Sequence, residues 1–450
     1  MITTLVLALL ACASQADKPV TAFVGVDVVP MDQERVLRDQ TVVVRDGRIA
    51  AVGPAQDVAV PEGATRIDGH GKFLMPGLAD MHVHAWIPDE FALFLANGVT
   101  TVRNMFGSPL QLQWRASIAA GELLGPTIYT AGPIIDGDPP IWPGSTVLVD
   151  PAQAEKVVLE QKEQGYDFLK VYARLSLPCY DALVAAAKKH GMRVMGHVPS
   201  AVGLEHVIES HQESIEHLDG LAAAAQAEGS PQIGKISFRT EPQAWPYLDD
   251  KKVAELARRE IEAGTWNCPT LVVYQKWVTG DERTKSLAGP YMKYVSPLMR
   301  SAWGPTEANE KWMSADFVGA SRVADAHRMH ALGVLHKAGA RILLGTDQAN
   351  PFVIAGFAVH EELANLVAAG LSPYDALRAG TSGAAEFMHA GAEWGTVAVG
   401  RRADLAMLEK NPLEDVANAK TPLGVMVRGR WLTRAELDAS LEKLAEAYAK

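Results

Sequence analysis

The chain has 450 residues, of which 48% are hydrophobic, and its formal net charge is −11. This length and composition support a large buried core together with a second module. The negative charge argues against nucleic acid as a partner. The three cysteines, Cys12, Cys179 and Cys268, are too few for a disulfide framework.

The first segment of the chain is apolar. Residues 2–12 are too short to span a bilayer as a stable helix, and polar sequence follows at once. We interpret residues 1–19 as a signal peptide, within which Leu9-Leu-Ala-Cys12 resembles the bacterial lipobox. A lipidated Cys12 would anchor the mature protein to a membrane. We therefore expect an exported protein, periplasmic or lipoprotein; the alternative is a cytoplasmic protein, because no basic residue precedes the apolar run.

Both ends of the remaining chain contain short strand-like segments separated by turn residues. Near the N-terminus they cover residues 20–29, 40–51 and 64–68, and near the C-terminus residues 403–408 and 423–432. This pattern predicts one small domain that is built from residues 20–73 and 391–433. A terminal helix is expected over residues 434–450.

His82 and His84 come at the end of an apolar run that begins at Phe73. Residues two apart in a strand point to the same face, so both imidazoles are expected to project together from the end of this strand. Two histidines placed in this way form half of a metal site.

Four further polar residues close short apolar segments downstream: Lys170, His197, His217 and Asp347. Such segments alternate with helix-like stretches, which is typical of a closed parallel (β/α)8 TIM barrel, here over residues 74–390. The functional groups of such barrels lie at the C-terminal ends of the strands, where all six residues fall. The expected strands cover residues 78–84, 100–104, 126–131, 167–172, 193–198, 214–218, 267–271 and 341–347.

These motifs, taken in order, identify a family. The chain resembles the amidohydrolase superfamily, specifically its binuclear, imidazolonepropionase-like and prolidase-like branch. In this superfamily the two chain ends close a small β-sandwich around the barrel. The resemblance rests on Pro76-Gly-Leu-Ala-Asp-Met-His-Val-His84, Asp167-Phe-Leu-Lys-Val-Tyr172, Gly196-His197, Ile215-Glu-His217, Gly345-Thr-Asp347 and Leu371-Ser-Pro-Tyr-Asp-Ala-Leu-Arg-Ala-Gly-Thr381.

The resemblance implies two divalent metal ions. His82, His84 and Asp347 would bind one ion, and His197 and His217 the other. Lys170 would bridge the two ions as a carbamate, and Asp347 would serve as the general base toward a metal-bridging hydroxide. A set of four imidazoles and two oxyanions suits zinc best, with manganese, cobalt or iron as alternatives.

Candidate substrate contacts are Tyr172, on the strand face of Lys170, together with Tyr274 and His330. Two long loops, residues 221–265 and 272–340, and the proline-rich segment 133–144 with Trp142 carry many aromatic residues. These aromatics predict an apolar or aromatic pocket beside the metals, or else they pack the inserts onto the barrel.

The expected reaction is hydrolysis of a small-molecule amide, either a peptide or an N-acyl amino acid. The sequence His197-Val-Pro-Ser200 departs from prolidase-like relatives and leaves the substrate open. A cyclic amidase or imidazolonepropionase-like ring hydrolase and a lactone or ester hydrolase are alternatives. A surface lipoprotein that binds a ligand with a relict barrel is the non-enzymatic alternative. The motifs of serine hydrolases, phosphate-binding loops and His-Glu-x-x-His proteases are absent from the sequence.

Overall fold

The computed structural model describes residues 20–449. The predicted signal peptide and the lipidation of Cys12 concern residues outside this range, and they stay predictions. Between residues 20 and 449, no helix is long and apolar enough to cross a membrane. Cys179 and Cys268 are both buried, and neither forms a disulfide.

Strands occur in every part of the described chain. They are β1 (Thr21–Val28), β2 (Leu37–Arg45), β3 (Arg48–Pro54), β4 (Thr65–Asp68), β5 (Phe73–Pro76), β6 (Leu78–Val83), β7 (Val99–Asn104), β8 (Thr127–Thr130), β9 (Ile135–Asp136), β10 (Thr146–Val147), β11 (Phe168–Val171), β12 (Arg193–Gly196), β13 (Ser214–Glu216), β14 (Trp266–Cys268), β15 (Arg341–Ile342), β16 (Leu405–Leu408), β17 (Gly424–Val427) and β18 (Arg430–Thr433).

The α-helices lie mainly between the central strands. They are α1 (Phe91–Ala96), α2 (Pro109–Ala120), α3 (Ala154–Glu163), α4 (Leu177–His190), α5 (Leu204–Glu209), α6 (Leu221–Ala224), α7 (Glu241–Ala244), α8 (Asp250–Ala263), α9 (Leu271–Gln275), α10 (Gly280–Leu287), α11 (Pro297–Ala302), α12 (Glu307–Trp312), α13 (Ala315–Lys337), α14 (Phe357–Ala368), α15 (Pro373–Ala379), α16 (Ser382–Phe387) and α17 (Arg434–Tyr448).

One sheet, which we call the end sheet, contains strands from both ends of the chain. Its strand order is β18-β17-β16-β5-β1-β2-β3, with β4 paired to β1. Strand β5 pairs antiparallel with β16 and parallel with β1, so it belongs to this sheet although the predicted domain boundary lies at residue 74. Phe23, Val42, Leu405 and Met426 are fully buried in one cluster, which shows that the two ends share a core.

The central strands pair in parallel, in the order β6-β7-β8 and β9-β11-β12-β13-β14-β15, with the short β10 paired to β9. A parallel bridge from Ala131 to Phe168 links the end of β8 to β11. A second parallel bridge, from Val83 to Gln348, links β6 to the chain beyond β15. The predicted α/β class and the parallel pairing of these strands are confirmed.

The local sequence explains why these elements form. Strands β6, β7 and β11 are buried at every position, as expected for parallel strands that are covered on both faces. Helix α8 turns Val253, Leu256 and Ala257 toward the core. The Asp249 side chain caps its first turn by accepting a hydrogen bond from the Lys251 amide, and Gly264 ends it with a φ of 80°.

The two segments that were expected to be long loops are largely helical. Residues 221–265 contain α6 to α8, and residues 272–340 contain α9 to α13. The longest helix, α13, has 23 residues and begins after Ser314, whose side chain accepts a hydrogen bond from the Phe317 amide. Many aromatic side chains of these segments pack between the helices, as in the contacts of Trp277 with Phe317 and Tyr274.

Candidate metal centre

The six predicted ligands converge at the C-terminal ends of the central strands. His82 Nε2 lies 3.3 Å and His84 Nε2 lies 3.0 Å from Asp347 Oδ1. The ring of His217 is 4.7 Å from that of His82 and 4.7 Å from that of His197. His82, His217 and Asp347 each offer a ligand atom within 4.8 Å of the others. Residues up to 265 positions apart in the sequence are thereby brought to one place.

Unusual backbone conformations direct two of these side chains inward. His217 has a φ of 66° and Asp347 a φ of 62°, both in the left-handed region that residues other than glycine rarely adopt. The Asp347 amide donates a hydrogen bond to the His82 carbonyl at 2.7 Å, which holds the last strand against the first. At Gly345 a Cβ would collide with Cys268 and His82, so glycine permits this close approach. Local strain of this kind clusters at functional sites.

Lys170 lies close enough to His82 and His197 to affect their pKa values, and it is fully buried. Its Nζ has no hydrogen-bond partner among the described residues. Burial lowers the pKa of Lys170 to about 8. A buried amine without a partner is costly in a purely structural role. It fits a group that is completed by chemical modification or by a bound ion.

Burial favours the neutral form of His82, His197 and His217. Burial, reinforced by the positive charge of Lys170, holds the pKa of His82 and His197 well below the usual range. The pKa of His217 falls to about 4, again mainly because of burial. His82 Nε2 and His197 Nδ1 are buried and make no hydrogen bond within residues 20–449. Neutral imidazoles with free lone pairs are the form that binds divalent metals, so these residues fit a metal centre.

Asp347 is the negative charge of the cluster. Burial alone raises its pKa, but the imidazoles of His82 and His217 and a hydrogen bond with His84 outweigh burial and lower the pKa below its usual range. The carboxylate therefore stays ionised. It can serve as a metal ligand through one oxygen and as a proton acceptor through the other.

The structure contains a buried ion pair next to His82 that was not predicted from the sequence. Glu216 Oε2 lies 2.7 Å from His82 Nδ1, and Arg103 donates to both oxygens of Glu216 at 2.9 and 3.0 Å. Ser214 donates a further hydrogen bond to Glu216, and Arg103 also donates to Ser214 Oγ at 2.9 Å. Arg103 and Glu216 are both fully buried. The available signal was one charged residue in each of two short strands that are buried at every position.

Other side chains hold the outer histidines in place. His217 Nδ1 lies 2.6 Å from Thr270 Oγ1. The Tyr274 hydroxyl donates to the His217 carbonyl at 3.1 Å, so Tyr274 supports the histidine from behind. The Tyr172 ring packs on His197 with 4.0 Å between centroids.

The structure does not bring His330 to this cluster. Its imidazole lies on the outer face of α13, 3.0 Å from Asp250, and its side chain is 61% exposed. We therefore leave His330 out of the site. The sequence places this residue close before the last central strand, but it does not reveal which face of the long helix turns inward.

Comparison with known proteins agrees with this geometry. The model of the amidohydrolase family matches residues 73–432. An enamidase from Eubacterium barkeri is 29% identical over 258 residues, which cover 51% of this chain and 64% of the enamidase. The chain thus spans a little under two thirds of that relative. Imidazolonepropionases also occur among the relatives.

Two solved structures extend the likeness over nearly the whole chain. A bottromycin amidohydrolase is 26% identical with a TM-score of 0.76, covering 95% of this chain and 90% of its own. A prolidase-like protein from Bifidobacterium longum is 25% identical with a TM-score of 0.71, covering 95% and 99%. Metal-dependent hydrolysis of a carbon–nitrogen bond is consistent with all these relatives. The predicted family is confirmed: this chain belongs to the amidohydrolase family.

Proposed function

We propose that the protein is a metal-dependent hydrolase that cleaves the amide bond of a peptide or an N-acyl amino acid. The observation that carries this proposal is the convergence of four histidines, one ionised aspartate and one unpartnered buried lysine at the ends of parallel strands. The enamidase, the bottromycin amidohydrolase and the prolidase-like protein among the similar proteins support the same bond class.

We further propose that the central strands close into a (β/α)8 barrel and that the end sheet forms a β-sandwich from residues 20–73 and 391–433. The bridges from Ala131 to Phe168 and from Val83 to Gln348 support closure, because they join the two parallel sheets at both ends. Closure places the ends of all eight strands around one mouth.

The proposed centre holds two divalent ions, with zinc as the best match to the donor set. His82, His84 and Asp347 would hold one ion, and His197 and His217 would hold the other. The neutral amine of Lys170 would add carbon dioxide, forming an N–C bond and releasing a proton, and the carbamate would join the residues that hold the ions. When bound, such ions lower the pKa of water and polarise the scissile carbonyl.

Asp347 moves the proton in the proposed reaction. Its carboxylate accepts a proton from the attacking water and passes it to the nitrogen of the leaving amine. Its position at the centre of the histidine cluster, within 3.3 Å of two imidazoles, supports this role. Tyr172, beside His197, lies on the rim of the cluster and is proposed to contact the substrate.

Glu216 acts in this proposal as a positioning residue. Its carboxylate accepts the proton of His82 Nδ1, so that the lone pair of Nε2 would be free to bind a metal ion. Arg103 in turn holds Glu216 by two hydrogen bonds. The pair thus sets both the tautomer and the orientation of His82.

Glu216→Gln is expected to weaken metal binding by about 10- to 100-fold, the range seen when a carboxylate behind a ligating histidine is changed. The change also leaves Arg103 without its countercharge, and we expect a loss of stability of about 3–5 kcal/mol. Metal affinity by competition with a chelator and thermal unfolding measure the two effects. Glu260→Gln is the matched control, because Glu260 is equally buried but bonds to Asn267 on the outer side of β14. Equal metal affinity in the two variants would contradict the positioning role.

The function itself is tested by a substrate screen. We expect chelation to abolish, and zinc to restore, hydrolysis of at least one linear N-acyl amino acid or dipeptide. The panel includes ring amides, lactones and esters as the competing classes. A protein that binds a single ion and opens only ring amides would favour the ring hydrolase, whereas one that binds two ions and hydrolyses nothing would favour a ligand-binding protein.

A further inference from the structure

Seven aromatic and imidazole side chains form a continuous row across the metal centre. Successive ring centroids lie 6.1, 5.4, 4.7, 4.7 and 4.0 Å apart, and the last step is a hydrogen bond of 2.8 Å from an indole to a hydroxyl. We call this row the aromatic arc; it runs through Trp86, His84, His82, His217, His197, Tyr172 and Trp142. The arc has four histidines in its middle and one indole at each end.

The two indoles are exposed although they belong to the arc. Trp86 is 46% exposed and Trp142 is 45% exposed. Tryptophan is enriched at binding interfaces, because its ring system is largely apolar while its N–H can reach a polar partner. Their place at the two ends of the arc means that they flank the proposed reaction centre.

Specific contacts hold both indoles in place. Trp86 stacks on His84 with an interplanar angle of 12° and meets the edge of Phe106 at 5.6 Å. Trp142 donates its indole N–H to the Tyr172 hydroxyl at 2.8 Å. Binding surfaces that are ordered before the ligand arrives lose little entropy on binding.

The segment that carries Trp142 is itself anchored at the site. The fully buried carboxylate of Asp136 accepts hydrogen bonds from the amides of Gly137, Ile141 and Arg174. Arg174 follows β11 by three residues, so the anchor ties the Trp142 segment to the strand that carries Lys170. The position of the indole is therefore set by the core.

We propose that Trp86 and Trp142 form an aromatic subsite that takes a flat, uncharged ring on the acyl side or the amine side of the scissile amide. This inference rests on the proposed amide hydrolysis and names its substrate class. Indole faces attract flat π systems in stacked or edge-on arrangements, and each such contact strengthens binding by about two- to tenfold. Small aliphatic amides gain neither contact.

The test uses the metal-loaded full chain and matched substrates. N-Benzoyl and N-acetyl forms of one amino acid probe the acyl side, and phenylalanine and alanine in the leaving position probe the amine side. We expect wild type to prefer the aromatic member of at least one pair in kcat/KM. Trp86→Ala and Trp142→Ala are each expected to reduce that preference, measured as the ratio of the two kcat/KM values, by about two- to tenfold, and any effect common to both substrates cancels in this ratio.

Trp312→Ala is the matched control, since Trp312 is also 46% exposed but packs on Phe238 and Arg239, away from the histidines. It should leave the preference unchanged. Trp142→Phe keeps a ring but removes the hydrogen bond to Tyr172, and it should retain part of the preference. Equal preference in wild type, Trp86→Ala and Trp142→Ala would overturn the subsite.

Direct binding separates the subsite from catalysis. We expect 2-naphthoate to bind wild type more tightly than acetate in calorimetry, and Trp86→Ala and Trp142→Ala to remove much of that difference. If no amide is hydrolysed but this result holds, the hydrolase proposal fails and the aromatic subsite stands. If amides are hydrolysed but both indole variants bind naphthoate as wild type does, the subsite fails and the hydrolase proposal stands.

Discussion

Asp347→Asn is expected to reduce turnover by at least about a hundredfold while leaving most of the metal bound. The amide oxygen can still serve as a ligand in the position that lies 3.0 Å from His84, but an amide cannot accept the proton of the attacking water. Steady-state kinetics together with the metal content of each variant measure the two effects. A fall in kcat with little change in bound metal is the expected signature of a lost general base.

The control for this variant is Asp404→Asn. Asp404 is also buried, but it lies in the end sheet, where it accepts a hydrogen bond from the Arg428 amide. It should lower stability without a specific effect on turnover. If Asp347→Asn stays active, Asp347 does not transfer the proton. If the variant loses metal in proportion to its loss of activity, Asp347 acts only as a metal ligand.

Lys170→Ala is expected to lose the second metal ion and nearly all activity. The proposed carbamate would disappear with the amine, and with it the proposed bridge between the two ions. A short carboxylic acid such as propionate should restore part of both, because its carboxylate fits the space left by the side chain. Propionamide has the same size without the charge and should restore neither.

A direct observation of the modification complements this rescue. Wild type equilibrated with 13C-labelled carbon dioxide should show one carbamate carbon resonance that is missing in Lys170→Ala. An unmodified structural lysine predicts the opposite set of results: no such resonance, unchanged metal content in Lys170→Ala and no response to propionate. A lysine amine that acts only as a buried cation would also make the alanine variant more stable than wild type.

Much of the fold was readable from the chain because its signals are local. The candidate ligands lie within or close behind short, largely apolar strands, and the order of these segments along the chain is the order of the strands. Parallel strands align their C-terminal ends, so the ends of the runs indicated where Lys170, His197, His217 and Asp347 gather. The family followed from the same motifs, and the match over residues 73–432 confirms it.

The sequence pattern was less informative where backbone geometry departs from the regular strand. Strict alternation sends Glu216 and His217 to opposite faces of β13, yet both contact His82. The left-handed φ of 66° at His217 breaks the alternation and turns both inward. Periodicity alone therefore hides the Glu216 partner of His82.

Residues far apart in sequence meet only through the tertiary structure. Arg103 and Glu216 are 113 positions apart, and neither strand indicates that the other supplies its countercharge. Trp86 and Trp142 are also far apart in the sequence, and only the folded chain brings both to the histidine cluster. Strand β5 joins the end sheet by pairing with β16, and the local sequence does not indicate this pairing. The sequence by itself determined the order of the central strands along the chain and the candidate ligands, because the short apolar runs and the family motifs at their ends are local signals. Only the tertiary structure decided which side chains support and flank those ligands, because such contacts depend on how distant elements pack.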